Sequence, residues 1–205
     1  MKFLLHTCCA DCLLRYLEIT GCRPQNNTHL KHGAAPFSPN PADHLNLADI
    51  TLYFYNPNLY PKAEYQARLK ALKGLAELYE LPLMVADYQP QDYFELNPPQ
   101  PPFPETPKRC APCWQLRLAK TAAFAKDFNQ EKEGVPFTHY STTLLVSQYQ
   151  SAPELTAIGQ SLTTPRLQFF APNTTPAPTF KTSGFYKQNY CGCLFSLLEK
   201  TTQKY

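Results

Sequence analysis

The sequence has few glycines and no long hydrophobic run. Only 7 of its 205 residues are glycine, and the patterns GxGxxG, GxxxxGK[ST] and HExxH do not occur. Because glycine-rich loops are what cradle phosphates, we expect no site for ATP or a dinucleotide. No apolar stretch approaches the roughly 18 residues of a membrane span, and the start, MKFLLHTC, lacks the apolar core of a signal peptide. We expect a cytoplasmic protein with no membrane contact, folded as a single domain over residues 1–205.

The net charge is small, and the proline content is high. The formal net charge is only +3, which neither requires nor excludes a nucleic-acid partner. The 21 prolines are about twice the average share of ~5%. They are dense in residues 97–107, which we expect to form an irregular loop. Residues 21–46 show no sustained hydrophobic period and are interpreted as a long insertion.

Short apolar segments alternate with amphipathic ones along the rest of the chain. This alternation predicts an α/β fold with a Rossmann-like parallel sheet and flanking helices. The predicted strands are residues 2–6, 50–56, 83–86, 137–142 and 167–171, and the predicted helices are residues 13–20, 62–81, 89–96, 110–128, 148–162 and 194–200.

Cysteine carries the strongest chemical signal in the sequence. Three thiols follow the first predicted strand, and four more form a CxxC and a CxC pattern. The members are Cys8, Cys9 and Cys12, then Cys110 and Cys113, then Cys191 and Cys193. A helix beginning near Cys12 would favour thiolates at its positive end. Cys8 and Cys9 are poorly placed for a disulfide, since neighbouring Cα atoms lie about 3.8 Å apart and an unstrained bridge needs roughly 5.5 Å.

These thiols are too numerous for one metal centre. A structural zinc takes four ligands, and so does an iron–sulfur cluster. Two metals, or one metal and a redox pair, is therefore the economical interpretation. Asp11 is either an oxygen ligand to iron or a helix cap. His6 is better explained by core hydrogen bonds than by metal binding, and Cys22, with no cysteine nearby, is interpreted as a bystander.

Five ordered motifs add a family resemblance. They read LLHTCCADC, ITLYFYNPN followed by EYQARL, RCAPCWQLRLAKTA, YSTTLLVSQYQ and YKQNYCGCLFS. They resemble the motifs of the QueH-type epoxyqueuosine reductases, cobalamin-independent enzymes that complete queuosine biosynthesis on tRNA. Two features depart from the family: the first motif more often reads CCAPC, so Asp11 stands where proline is usual, and the insertion at 21–46 is not typical.

The resemblance implies a fold like that of the adenine nucleotide α-hydrolases and reductive removal of the epoxide oxygen of epoxyqueuosine. It also implies a [4Fe-4S] cluster and an adjacent mononuclear iron, which zinc replaces in protein handled in air. Removing an epoxide oxygen takes two electrons and two protons, and a second iron would act as a Lewis acid. The positions that match are the metal ligands Cys8, Cys9, Cys12, Cys110, Cys113, Cys191 and Cys193. We expect Cys8, Cys9 and Cys12 to be catalytic, together with Asp11, which departs from the family motif. Which sulfur binds which metal stays open.

The expected partners are a tRNA anticodon loop bearing epoxyqueuosine and an electron donor that the sequence does not identify. Proteins hold single-stranded RNA by stacking and basic contacts. The predicted substrate-binding residues are Arg109, Arg117, Thr142, Thr143, Ser147, Lys187 and Tyr190, with Tyr55, Tyr60 and Trp114 as further aromatic candidates.

Two other functions stay open at this point. A thiol–disulfide oxidoreductase would use Cys110 and Cys113 and would leave the CC and CGC groups without a role. A zinc-stabilised tRNA-binding module would carry zinc, lack colour and unfold when the metal is chelated.

Overall fold

A parallel sheet forms the centre of the fold. The computed structural model describes residues 1–22, 30–32, 45–99, 108–131, 134–173, 180–182, 184–187 and 189–202. The strands of the main sheet are β1 (Phe3–His6), β3 (Ile50–Phe54), β4 (Leu83–Val85), β5 (His139–Thr142) and β6 (Gln168–Phe169). They are all parallel, in the order β4-β3-β1-β5-β6. The predicted Rossmann-like α/β fold is confirmed.

A second, two-stranded sheet was not predicted. Strand β2 (Leu30–His32) pairs in antiparallel fashion with β7 (Phe180–Thr182). Because β2 lies inside residues 21–46, part of the predicted insertion has regular structure. The rest of that stretch between 23 and 44, and residues 100–107 of the predicted proline-rich loop, lie outside the described residues.

The helices begin and end within a few residues of their predicted bounds. They are α1 (Ala10–Ile19), α2 (Lys62–Leu78), α3 (Gln91–Leu96), α4 (Cys110–Glu131), α5 (Ala152–Ser161) and α6 (Leu194–Thr202). The largest early start is that of α1, which begins at Ala10 rather than Leu13. No helix in the described part of the chain combines the length and the apolar character needed to cross a membrane.

The central strands are buried because helices cover both faces of the sheet. Every residue of β1 and β3 is buried, as expected for a parallel sheet between helical layers. Successive side chains of a strand point to opposite faces, so Phe3 and Leu5 join one core cluster and Leu4 joins the other. The first cluster includes apolar residues of α1 and α2, and the second includes those of α4.

The strands β1, β3 and β5 end at the same edge of the sheet. His6, the last residue of β1, is level with Tyr53 of β3 and Thr142 of β5. The loops that follow these strands therefore leave the sheet side by side. In open parallel sheets this carboxyl edge is where ligands bind.

Candidate metal and substrate site

Three thiols converge directly after β1. The sulfur atoms of Cys8, Cys9 and Cys12, here called the thiol triad, all lie within 4.8 Å of one another, and all three residues are buried. Cys9 caps helix α1, since its Sγ accepts a hydrogen bond from the backbone N–H of Cys12 at 3.4 Å. The Sγ atoms of Cys8 and Cys9 are 3.8 Å apart. The turn from strand to helix thus brings three ligand atoms to one point.

Only part of the thiol triad is easily ionised without a cation. Hydrogen bonds, first from the Cys12 thiol and then from that of Cys8, lower the pKa of Cys9 well below its ordinary value. Donation to Cys8 and Cys9 raises the pKa of Cys12 well above its ordinary value. Since like charges repel at this distance, a metal cation is what would keep all three sulfurs as thiolates.

Thr143 ties the triad to the neighbouring strand. Its Oγ1 accepts a hydrogen bond from the backbone N–H of Cys8 at 3.1 Å and donates one to the Cys8 sulfur at 3.4 Å. Thr143 comes directly after β5, which pairs with β1. This predicted substrate residue therefore contacts a thiol of the triad.

Both ring nitrogens of His6 form hydrogen bonds in the core. Its Nε2 lies 3.0 Å from the carbonyl oxygen of Tyr55, which can only accept, so Nε2 carries the proton. Nδ1, at 2.8 Å from Thr142 Oγ1, then accepts from that hydroxyl. Burial lowers the pKa of His6 to about 3, so the ring stays neutral. The interpretation of His6 as a core residue is consistent with these contacts, and Thr142 is occupied by the same network.

The remaining four thiols form a second set, the four-thiol group, defined as Cys110, Cys113, Cys191 and Cys193. The Cys193 thiol, with Arg117 and Gln150, lowers the pKa of Cys191 to about 5. Burial raises the pKa of Cys110, and it raises that of Cys113 to about 11. Cys191 adds to both shifts, so the CxxC and the CxC patterns lie within electrostatic range of each other.

Arg68 joins the CGC segment to the centre of the fold. Its Nη1 donates to the carbonyl oxygen of Cys191 at 3.1 Å and its Nε to Glu64 Oε1 at 2.6 Å. Its charge also lowers the pKa of Cys9, after the hydrogen bonds from the other two thiols and against the effect of burial. Gly192 makes this approach possible, because a Cβ there would lie 2.5 Å from the Arg68 guanidinium and its φ is +108°. The residue between the two cysteines must therefore be glycine.

Arg117 is the second arginine among the thiols. It is 2% exposed, and its charge interacts with Cys113, Cys191 and Cys8. Arg68 and Arg117 thus both act on the thiol triad and on the four-thiol group, which places the two sets in one region of the molecule.

A polar cleft opens beside the triad. Its lining consists of Asp11, Cys12, Arg15, Val146, Ser147, Gln148, Tyr149 and Lys187. The carboxylate of Asp11 pairs with Arg15 at 2.9 Å and with Lys187 at 3.6 Å. Cys12 belongs both to the cleft and to the triad, so a ligand in the cleft reaches the thiols.

Some of the predicted substrate residues line this cleft and others do not. Ser147 and Lys187 lie in the lining with Asp11. Arg109 is buried and pairs with Glu199 at 2.5 Å, while Tyr190 donates to the carbonyl oxygen of Tyr60 at 3.1 Å. The substrate roles of Arg109, Arg117, Thr142 and Tyr190 stay predictions, and the structure gives each of them a partner within the protein.

The aromatic candidates are mostly anchored by hydrogen bonds. Tyr55 donates to Asp92 at 2.6 Å, and Trp114 donates to Gln150. Cys22, the expected bystander, is buried and its thiol donates to the carbonyl oxygen of Leu45 at 2.6 Å. Tyr60, at 39% exposure, stays open to solvent.

Sequence reasoning missed several residues of the site. Gln150 donates to the Cys191 sulfur at 3.2 Å, across 41 positions of sequence. Like Gln148 and Tyr149 of the cleft lining, it stood inside the YSTTLLVSQYQ motif without an assigned role. Arg68 stood likewise inside the EYQARL motif, and Arg15 of the lining was indicated only by its position near the cysteines.

Comparison with known proteins gives one consistent result. The family model described as epoxyqueuosine reductase QueH matches residues 30–199. The epoxyqueuosine reductase QueH of Thermotoga maritima is 31% identical over 170 residues, which cover 74% of this chain and 81% of that protein. Those of Histophilus somni and Acinetobacter baylyi are each 27% identical over 205 residues, covering 96% of this chain and 72% and 80% of the relatives. The chain belongs to the epoxyqueuosine reductase QueH family.

Proposed function

We propose that this chain reduces the epoxide of epoxyqueuosine in tRNA to give queuosine, with a metal centre held by its cysteines. The relatives named epoxyqueuosine reductase support a reductive role in queuosine biosynthesis. The observation that carries the proposal is the position of the thiol triad, buried and convergent, with Cys12 in the wall of a polar cleft. A substrate in that cleft would lie against the metal-binding atoms.

The thiol triad fits a single metal ion. Metal–sulfur bonds of about 2.3 Å in a tetrahedron place neighbouring sulfurs about 3.8 Å apart. The observed distance between the sulfurs of Cys8 and Cys9 is 3.8 Å, and no pair in the triad exceeds 4.8 Å. Three protein ligands leave a fourth position for substrate, which is the arrangement of catalytic rather than structural sites. We assign the mononuclear iron to this triad.

The four-thiol group fits the ligand set of an iron–sulfur cluster. A [4Fe-4S] cluster takes four cysteine thiolates, and four thiols interact here electrostatically. Gln150 supplies an N–H donor to the Cys191 sulfur, and such hydrogen bonds are among the factors that set cluster potentials. We assign the cluster to Cys110, Cys113, Cys191 and Cys193.

The reaction converts an epoxide to an alkene and releases its oxygen as water, which consumes two electrons and two protons. The bound cluster and iron would supply electron transfer and Lewis-acid polarisation of the oxygen. Protein residues supply the rest. Lys187, whose ammonium lies 3.6 Å from Asp11 in the cleft, is positioned to deliver a proton to the departing oxygen. Asp11 orients this ammonium, and the second proton of the water comes from solvent in the open cleft.

Cleft residues can hold a single-stranded nucleotide. Tyr149 is 37% exposed at the rim and offers a ring on which a base can stack. Arg15 and Lys187 provide positive charge for a phosphate, and Ser147 and Gln148 offer hydrogen-bonding groups. An anticodon-loop nucleotide is the kind of substrate that matches these features.

The decisive experiment combines metal analysis with conversion of the substrate. The wild-type chain and the variants C12A, C191A and C22A would be prepared without oxygen and analysed for iron, sulfide and zinc. Each would then be given epoxyqueuosine-containing tRNA and a chemical reductant, with queuosine measured by mass spectrometry of the nucleosides. We expect wild type and C22A to convert the tRNA, and C12A and C191A to be slower by about 100-fold or more because they lack a ligand.

Several results would contradict the proposal. A wild-type chain with full iron and sulfide that leaves the tRNA unchanged excludes the reductase activity. Zinc without sulfide, together with tRNA binding and no conversion, identifies a zinc-stabilised tRNA-binding module instead. Activity that depends on Cys110 and Cys113 but needs no metal identifies a thiol–disulfide oxidoreductase.

A further inference from the structure

Arg117 is a buried cation that lacks a carboxylate partner. It lies in α4 with 2% exposure. Its Nε donates to the carbonyl oxygen of Cys113 at 3.3 Å, and its Nη2 is buried with no hydrogen-bond partner among the described residues. Within that same part of the chain no carboxylate forms an ion pair with it. A guanidinium in this state is strongly destabilising unless a negative charge lies nearby.

Other arginines near the site each have a carboxylate. Arg15 pairs with Asp11, Arg68 with Glu64, and Arg109 with Glu199. Arg117 is therefore different from its neighbours, because its charge interacts mainly with thiols. They are those of Cys113, Cys191 and Cys8, and the Tyr93 hydroxyl interacts with it as well.

The anion that compensates Arg117 must come from these sulfurs. The Cys191 thiol, whose pKa is lowered to about 5, supplies part of this charge, and thiolates that bind a metal bring several negative charges together. A fixed positive charge beside such a centre also favours the form with one more electron, since reduction makes the centre more negative. Net charge is one of the properties that set the potentials of cluster sites.

We propose that Arg117 is the counter-charge of the metal–thiolate centre and that it raises the reduction potential of that centre. This inference rests on the proposed function, because it assumes that the thiols hold a redox-active metal. In this role Arg117 acts on the electron-transfer step from inside the protein, and it does not contact tRNA.

Redox titration of the reconstituted protein tests the inference. The wild type would be compared with R117Q, which removes the charge, and R117K, which keeps the charge but loses the planar fork. K120Q is the matched control, since Lys120 is an exposed residue of the same helix. The potential would be read from the electron paramagnetic resonance of the reduced centre, with iron and sulfide measured per chain and folding checked by circular dichroism.

We expect R117Q to lower the equilibrium constant for one-electron reduction by at least about tenfold, which is about 59 mV. R117K should stay within about threefold of wild type. K120Q should stay within about twofold, because solvent screens a surface charge. If R117Q fails to fold or to hold the centre, R117K alone tests the inference, and its potential must still match the wild type.

Three outcomes would overturn the inference. They are an unchanged potential in R117Q, an equal fall in R117K and R117Q, and a folded R117K without the centre. The titration uses no tRNA, so a wild-type chain that holds the centre but converts no epoxyqueuosine would refute the proposed function and leave this measurement valid. A wild-type chain without iron and sulfide would overturn both.

Discussion

Replacing Arg68 by methionine should be among the most damaging single changes in this fold. Arg68 and Glu64 form a buried ion pair, with side-chain exposures of 2% and 7%. The same guanidinium holds the carbonyl oxygens of Cys191 at 3.1 Å and Tyr190 at 3.4 Å. R68M therefore leaves the buried Glu64 carboxylate without its cation, with the Tyr186 hydroxyl as a remaining donor, and it releases the CGC segment from helix α2.

The magnitude follows from these contacts. Breaking a buried pair by removing one partner costs about 3–5 kcal/mol, so we expect a loss of about 4 kcal/mol. Adding E64Q to R68M removes the unpaired carboxylate charge and should restore about 2 kcal/mol of the lost stability. The double variant stays below wild type, because the two carbonyl groups still lack their donor and a hydrogen bond to a charged group is worth about 1.5–3 kcal/mol.

Urea denaturation followed by circular dichroism would measure these differences. A reducing buffer with a chelator keeps metal binding out of the comparison. R15M is the control, since Arg15 pairs with Asp11 at the same i,i+4 spacing but with 25% and 13% exposure, and such a pair is worth about 1 kcal/mol or less. Equal losses in R68M and R15M, or no recovery on adding E64Q, would show that the buried charge is not the cause.

Three further predictions use the same denaturation assay. G192A should lower the free energy of unfolding by roughly 2–4 kcal/mol, since φ is +108° and the new Cβ would lie 2.5 Å from a buried guanidinium. The control G74A, where a new Cβ has nothing within 4 Å, should raise it by about 1 kcal/mol. Similar effects of the two substitutions would refute the strain assigned to position 192. T143V should lower the free energy of unfolding by about 1–3 kcal/mol, because the Cys8 N–H loses its acceptor. T143S keeps the hydroxyl and should be close to wild type in stability. If T143S is as unstable as T143V, the hydroxyl is not the cause of the loss. Burial lowers the pKa of His6 from 6.5 to about 3, so the unfolded chain binds a proton more readily than the folded chain, and stability falls as the pH drops below 6.5. Wild type should therefore lose about 2 kcal/mol more stability than H6Q between pH 7.5 and 5. Equal losses in the two proteins would show that another group causes the acid sensitivity.

Hydrophobic pattern predicted the strands and helices better than it predicted their ends and partners. The start of α1 was placed three residues late because Cys9 caps the helix through its sulfur, whereas Ser, Thr, Asp and Asn are the residues that usually mark a cap. The pairing of β2 with β7 joins segments about 150 residues apart. Three-residue strands show no measurable period, so only the folded chain reveals them.

The candidate site, like the fold, has features that local sequence patterns predict and features that depend on long-range contacts. Cysteine spacing alone predicts a metal site, because thiols clustered in CxxC and CxC patterns commonly indicate metal binding or redox chemistry. Arg68 and Glu64 were visible as an i,i+4 pair, which normally indicates a solvent-exposed helix face. Their burial depends on the CGC segment arriving from more than 120 residues away. Sequence spacing carries no information about that approach.

The charge balance of the interior favours a metal–thiolate centre over the alternatives considered for these cysteines. In a thiol–disulfide oxidoreductase that uses Cys110 and Cys113, these two sulfurs are neutral in the oxidised form. Arg117 would then lose the charge of Cys113, the thiol with which its own charge interacts most strongly. A zinc module that used only the four-thiol group would place thiolates near Arg117, but it would leave the Cys12 thiol of the triad protonated, because donation to Cys8 and Cys9 raises the pKa of Cys12 well above its ordinary value. Metal-bound thiolates in both sets balance the charge of Arg117, and they do so beside a cleft that opens to solvent. Among the three functions, metal-dependent reduction is the one that gives both the buried arginine and the convergent thiol triad a physical reason.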